Sequence, residues 1–412
     1  MPEFLSLITP EEALDMVFSH WEGPRAVEID RTDQAFGRIT AVDICATQNL
    51  PDFRRSTVDG YAVRARDTHG ASEGLPAYLE LVGEILMGQK PGFSLSSAQC
   101  GLIHTGGMLP NGADAVVMLE DAQALENGEI EIYRPAAAGD NLIDIGEDVR
   151  EGDVIIPRGT RLRPAEIGGL LALGITEVQL IKPPLIGVIS SGDEVIHPEK
   201  DLKPGQVRDI NSYTLEGVIT DLGAMVKGYG IIPDNREAMR DVMVRALQEC
   251  DHLIVTAGSS ASSRDLTAEI MNELGDPGVI VHGLQIKPGK PTIFAFAGEK
   301  LMIGLPGNPV SALVIAWVMV RPILEKILGV ENPRPRPIVN AVLAVNIPSQ
   351  AGREDWIPVR LEGNNSDGWK AEPIFGRSNL IFVLARADGL VRIPPAVTGL
   401  ETGSIVAVQL MD

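Results

Sequence analysis

The apolar positions along the chain change their period from segment to segment. Behind Thr9, the stretch Pro10-Glu-Glu-Ala-Leu-Asp-Met-Val-Phe18 reads as an amphipathic helix running to about His20. Thr9 is its N-cap and Glu12 stands at the capping-box position. From about 27 to 140, short apolar runs (Tyr78–Leu86, Ala115–Leu119, Ile130–Tyr133) alternate with Gly, Pro, Asn and Asp, the pattern of a small β-domain. Val154-Ile-Ile reads as a strand, and a helix follows from Arg163 with Pro164 in its first turn and Gly174 at its end. Between about 183 and 328, continuous apolar strands (Leu185–Ile189, Met225–Ile231, His252–Thr256, Leu301–Gly304) alternate with helices at Ser212–Leu222, Glu237–Glu249, Thr267–Leu274 and Val310–Leu328. That rhythm predicts a doubly wound, mostly parallel sheet. Asn332-Pro-Arg-Pro-Arg-Pro-Ile338 is a linker, and the remainder to 412 reads as all-β. The expected fold is multidomain α/β plus β. A connecting domain (1–26 and 146–182) carries a small β-domain (27–145), followed by an α/β domain (183–330) and a C-terminal β-domain (331–412).

Composition narrows the partners. The 412 residues hold 35 basic and 56 acidic side chains, a net charge of −21, which argues against nucleic acid or an anionic membrane. Cys45, Cys100 and Cys250 lie far apart with no paired spacing, so neither a disulfide framework nor a zinc site is expected. The acidic N-terminus lacks the basic and apolar regions of a signal peptide. The longest apolar run, Val310–Val320, is too short to span a bilayer. A cytoplasmic protein is expected.

An acidic chain that handles an anion must gather its few cations in one place. In an open α/β sheet, ligands bind beyond the carboxyl ends of the strands. Three loops there are rich in Gly and Ser: Ser190-Ser191-Gly192-Asp193-Glu194, then Thr256–Asp265 with Gly258 and Ser260, then Leu305-Pro306-Gly307-Asn308-Pro-Val-Ser311. Nearby in sequence, Ile286-Lys287-Pro-Gly-Lys290-Pro291 fixes two lysines on one turn, either as an oxyanion cradle or as a basic surface turn. No GxxxxGK[ST] occurs, so this is not a P-loop. Glu194, Asp234 and Asp265 accompany the loops, and Mg²⁺ asks for one or two carboxylates plus substrate phosphates. Asp265 serves equally well as a helix N-cap. In the small β-domain, Phe53–Val63 holds Asp59-Gly60, a hairpin signal taken alone.

Taken together, these segments carry a resemblance. The chain resembles the molybdopterin molybdenumtransferase family (MoeA and the E domain of gephyrin) over essentially its whole length. The resemblance rests on Ser56-x-x-Asp-Gly-Tyr-Ala-Val63, Thr105-Gly with Gly112-Ala-Asp-Ala-Val-Val117, Gly146-Glu-Asp148, Ser191-Gly-Asp-Glu194, Asp209-x-Asn-Ser212, Lys287-Pro-Gly-Lys-Pro291 and Leu305–Ala312. It implies an enzyme that inserts molybdate into adenylylated molybdopterin and releases AMP with help from Mg²⁺. Lys287, Lys290, Pro291, Ser311, Arg360 and Ser378 would surround the oxyanion or the pterin phosphate. Glu194, Asp234 and Asp265 would lie near Mg²⁺ and the adenylate, and Asp59, Thr105 and Asp148 would line the cleft. The resemblance also implies a homodimer whose cleft is closed by the partner's small β-domain. Partners would include the adenylylating enzyme and the molybdoenzymes that receive the cofactor. The chain departs from the family at Ala257 and Ser262, where glycines are usual, at Arg264, at Val58, where Met is common, and at Phe382-Val383, where Ser-Ser is usual. Those changes also fit a paralogue that binds pterin, nucleotide or a partner without turnover. Tungstate matches molybdate in charge and nearly in size, so both metals stand as expected substrates.

Overall fold

The computed structural model describes residues 7–21, 23, 26–257, 261–364 and 368–411, with backbone only for 261–264. The N-terminal helix spans Pro10–Ser19, and its capping box forms as expected. Glu12 N–H donates to Thr9 Oγ1 at 3.2 Å, and Thr9 N–H donates to Glu12 Oε2 at 2.9 Å. Strand Val27–Arg31 pairs antiparallel with Glu177–Ile181, and Ile44–Cys45 pairs with Val154–Ile156. Residues 27–45 therefore belong to the connecting layer, although the sequence texture changes at 27. Ala35, Ile156, Leu162, Leu170, Val178 and Leu180 form the buried centre of that layer. Its helix, Pro164–Ala172, opens on Pro164. Gly174 at φ +73° lets the chain turn away after it.

The small β-domain is a six-stranded sheet built from residues 60–132. Its Gly60–Val63 strand is buried throughout between Gln99–Ile103 and Ala115–Met118.

The α/β domain comprises β1 (Leu185–Ser191), α1 (Asn211–Asp221), β2 (Met225–Ile232), α2 (Arg236–Glu249), β3 (His252–Ala257), α3 (Ala261–Leu274), β4 (Pro277–His282), β5 (Ile293–Ala297), β6 (Lys300–Pro306) and α4 (Pro309–Ile315). The strand order is β2-β1-β3-β6-β5-β4, all running one way except β5, which is antiparallel to both of its neighbours. Alternate residues feed opposite faces, as the period of two requires. Ile186, Val188, Ile254 and Ile303 pack with Leu215 and Ile219 of α1 and Val314 of α4. Ile189, Leu253, Val255 and Met302 pack with Met239 and Met243 of α2 and Ile270 of α3. The sheet is doubly wound, as the apolar rhythm predicts.

Two features differ from the sequence reading. Strands β4 and β5 were not anticipated. The expected single helix Val310–Leu328 is interrupted by a π-helical turn, Ala316–Val320, before helix Arg321–Ile327. Pro322 explains the turn: it lacks an N–H and its ring crowds the carbonyl four residues back, so the ladder widens there.

The C-terminal region is all-β but for a short helix, Phe382–Ala385, and closes into a barrel. Strands Glu354–Asn364, Gly368–Pro373, Ile338–Leu343, Ile405–Leu410 and Gly389–Ile393 follow one another, and the last pairs back onto the first. Among the described residues, no helix is long and apolar enough to cross a membrane.

Candidate functional site

The parallel strands end together. β1 is followed in sequence by β2 on one side, whereas β3 leads on to strands on the other side, so the topological switch lies between β1 and β3. Registers Ser191↔Ile232, Ser190↔Thr256 and Ala257↔Pro306 set the loops after these strands side by side. Ser191, Gly192, Glu194, Asp234, Pro306, Gly307 and Asn308 all fall at this edge. Gly258 and Ser260 lie outside the described residues.

Glycine is required at 192. Its φ is +145°, and a Cβ there would meet Val195 Cγ2 at 2.7 Å and Glu194 Oε2 at 2.9 Å. Gly192 N–H donates to Ile232 O at 3.2 Å, and Asp234 N–H donates to Asp193 Oδ1 at 3.1 Å, so the two loops are stitched together. Asn235 caps α2 by accepting from Ala238 N–H, which leaves the Asp234 carboxylate free of that duty. Half-buried Asp234 is held above the ordinary carboxylate range. Burial is the main cause, and the nearby Asp193 and Glu194 charges add to it, while the Ser191 hydroxyl pulls the other way. That hydroxyl is buried and meets no hydrogen-bond partner of good geometry.

Across the crevice, Asn211 at the start of α1 donates its Nδ2 to Gly307 O at 2.9 Å. Asp209 Oδ1 accepts from Ser212 N–H at 3.2 Å. Asn308 occupies the N-cap of α4 but makes no side-chain cap bond. Instead Val310 N–H donates to Ser378 O at 3.0 Å, which draws the C-terminal segment onto the start of the helix beside buried Ser311.

The lysine turn is built into the same region. Ile286–Lys287 pairs in parallel with the barrel strand at Glu354 and Asp355. Leu284 N–H donates to Lys290 O at 2.8 Å, and Thr292 Oγ1 donates to Gly289 O at 2.7 Å. Gly289 has φ +110°, and a Cβ there would lie 2.3 Å from Ile315 Cδ1, so the turn packs directly on α4. Lys287 and Lys290 are exposed, Pro291 is half-buried, and neither ammonium has an ion-pair partner among the described residues. Arg360, opposite Glu372 on the barrel, is exposed and likewise unpaired among those residues.

Asp265 departs from the cap reading of it. α3 begins at Ala261, so Asp265 is the helix's fifth residue and cannot be its N-cap. It is exposed, and no trio of His, Cys, Asp or Glu among the described residues is arranged to hold a metal. The cap expectation failed because Ala-Ser-Ser-Arg carries little helical signal, so Asp265 looked like the first boundary residue.

Asp59 and Thr105 form a second cluster in the small β-domain. Asp59 Oδ1 accepts from Thr105 N–H at 2.8 Å and from Thr105 Oγ1 at 3.2 Å. The Thr105 N–H is the chief reason its carboxyl lies below the ordinary range. His104 and Glu84 join it, with His104 Nε2 2.9 Å from Glu84 Oε1. Sequence reasoning missed both, because they become neighbours only through the pairing of Glu84 with Leu102. Asp148 is exposed, with its N–H donating to Leu50 O at 3.1 Å. Among the described residues, no hydrogen bond or ion pair links Asp59, Thr105 or Asp148 to the sheet-end loops.

The fold and its crevice define a multidomain α/β protein with an all-β C-terminal barrel and a second β-domain inserted near the N-terminus. The chain belongs to the MoeA family. The model of the MoeA N-terminal region (domain I and II) matches residues 8–174, that of the "Probable molybdopterin binding domain" matches 187–326, and that of the MoeA C-terminal region (domain IV) matches 340–411. The molybdopterin molybdenumtransferase of Haemophilus influenzae is 31% identical over 402 residues, covering 95% of this chain and 98% of the relative. That of Bacillus subtilis is 31% identical over 421 residues, covering 98% and 94%. The crystal structure of a molybdopterin biosynthesis MoeA protein from Pyrococcus horikoshii OT3 superposes with a TM-score of 0.86, at 30% identity, over 98% of this chain and 100% of that one.

Proposed function

We propose that this protein is a molybdopterin molybdenumtransferase, inserting molybdate into adenylylated molybdopterin with Mg²⁺-dependent release of AMP. The observation that carries the reading is that acidic and basic groups gather at the same end of the sheet. Asp193, Glu194 and Asp234 crowd one another, and Lys287 and Lys290, unpaired among the described residues, sit on a rigid turn packed against α4. The names of the Haemophilus and Bacillus relatives support it.

Mg²⁺ fits this donor set. It takes hard oxygen ligands, makes do with one or two carboxylates plus phosphates, and relieves the repulsion that raises Asp234. Glu194 and Asp234 would hold it, and when bound it supplies positive charge to the phosphate of the adenylate. Lys287 and Lys290 present ammonium groups to the molybdate as point charges, and Arg360 adds a planar donor fork. Ser191 offers a buried hydroxyl beside Asp234 that meets no partner of good geometry among the described residues. Asp59 and Thr105 come from the small β-domain of the second subunit of a homodimer, which accounts for the lack of any hydrogen bond or ion pair, among the described residues, to the sheet-end loops of their own chain.

AMP release from adenylylated molybdopterin tests the proposal. The account expects release that requires both molybdate and Mg²⁺. Tight substrate binding without release assigns the chain to a non-catalytic role, and release with tungstate alone replaces the metal.

A further inference from the structure

Asp59 presents its two carboxylate oxygens unequally. Oδ1 takes both Thr105 contacts and lies 3.7 Å from His104 Nδ1, an ion-pair distance too long for a hydrogen bond. Among the described residues no partner is found for Oδ2. On the far side of the imidazole, Nε2 meets Glu84 Oε1 at 2.9 Å. Glu84 lies on strand Ala77–Ile85, and His104 follows the end of the parallel strand Gln99–Ile103. The ring thus stands between two carboxylates on a surface left open in the single chain.

We propose that His104, gripped from behind by Glu84, is a further positioning residue of this site, fixing Asp59 with Oδ2 turned outward toward the ligand. The inference rests on the functional reading above, since it assumes that Asp59 serves the partner subunit's crevice. Its chemistry follows from donor counting. A neutral imidazole carries one N–H, which the 2.9 Å contact gives to Glu84, whereas the imidazolium also faces Asp59 with a positive charge at 3.7 Å. Glu84 and Asp59 are the charged groups that face the ring, and Thr105 contributes neutral donors only. Asp59 is therefore clamped from two sides while the ring is doubly protonated. Once the ring has released its Nδ1 proton to solvent, its remaining N–H faces Glu84, and Asp59 is held by Thr105 alone.

The test is the pH profile of AMP release by the full-length protein, from about pH 5.5 to 9, for the parent, His104→Gln and His104→Leu. The parent is expected to lose kcat on the alkaline side along a single titration. His104→Gln should lack that limb and run about two- to fivefold below the parent's acid plateau, with KM little changed. His104→Leu, which donates nothing, should fall below His104→Gln. All three should melt together, because the ring is partly exposed and fills no core. An unaltered profile in His104→Gln, or a rise in KM with kcat preserved, overturns the inference. A second readout separates it from the functional reading: the His104 ring signals in NMR should titrate differently in Asp59→Asn and Glu84→Gln than in the parent, with or without catalysis. A ring that titrates identically in all three refutes the clamp.

Discussion

Asp234→Asn tests the acidic loop most sharply, because it should raise stability and abolish metal response at once. The Asp234 carboxyl lies above its ordinary 3.8 through burial and through the Asp193 and Glu194 charges. An acid whose folded pKa exceeds its unfolded value disfavours the fold when ionised. That penalty is absent below 3.8 and sets in as pH rises through the folded value. At neutral pH the parent carries it and the Asn variant does not. Like charges at about 4 Å repel by about 1 kcal/mol in water and more near a protein surface, and salt and partial exposure bring the figure here to about 1 kcal/mol. For a domain of this size that is a rise of about 2–4 °C in Tm, measured in low salt with chelator. Mg²⁺ then reverses the order. At a hundredfold excess over Kd it stabilises a specific binder by about 2.7 kcal/mol, which the parent gains and the variant does not. The gap without Mg²⁺ should also shrink as pH is lowered toward 3.8. A variant less stable than the parent in chelator, or one that gains equally from Mg²⁺, refutes the argument.

Two further substitutions probe the lysine turn. Lys290→Ala should leave Tm unchanged, since the side chain is exposed and makes no ion pair among the described residues, and should raise the molybdate KM of AMP release by about 10- to 150-fold, the worth of a charge-assisted contact of about 1.5–3 kcal/mol. An unchanged KM removes Lys290 from the oxyanion site. Gly289→Ala should do the reverse. A Cβ 2.3 Å from Ile315 at φ +110° costs roughly 2 kcal/mol or more in thermal or urea unfolding, and a neutral result shows the turn free to move off α4.

The parts of the fold visible in the sequence are those with a strong period. β1, β3 and β6 are continuous apolar runs because helices cover both faces, and Thr9 with Glu12 marks a helix start by chemistry alone. β4 and β5 escaped notice because they are short, lie at the antiparallel side and have no helix between them to set the rhythm. The site loops were readable from their Gly, Ser and Pro content. Their connections were not. The lysine turn reaches the barrel by pairing Lys287 with Asp355, and Ser378 reaches α4 through a backbone hydrogen bond. His104 meets Asp59 only after two strands have taken register. Such contacts are set by tertiary pairing rather than by local composition, so no window along the chain contains them. Asp265 shows the converse, a local signal for a cap overridden by a helix that begins earlier.

In the proposed homodimer the active centre joins the sheet edge of one subunit to the small β-domain of another. The direct measurement mixes Asp59→Ala and Lys290→Ala chains after unfolding and reassociation in equal amounts, at a molybdate concentration near the parental KM, where each releases little AMP alone. Half of the dimers are then mixed, and each mixed dimer holds one site with both residues intact, so AMP release should return to about a quarter of the parental rate. Activity that stays at the level of the separate variants, or a fully active monomer at high dilution, contradicts the composite site.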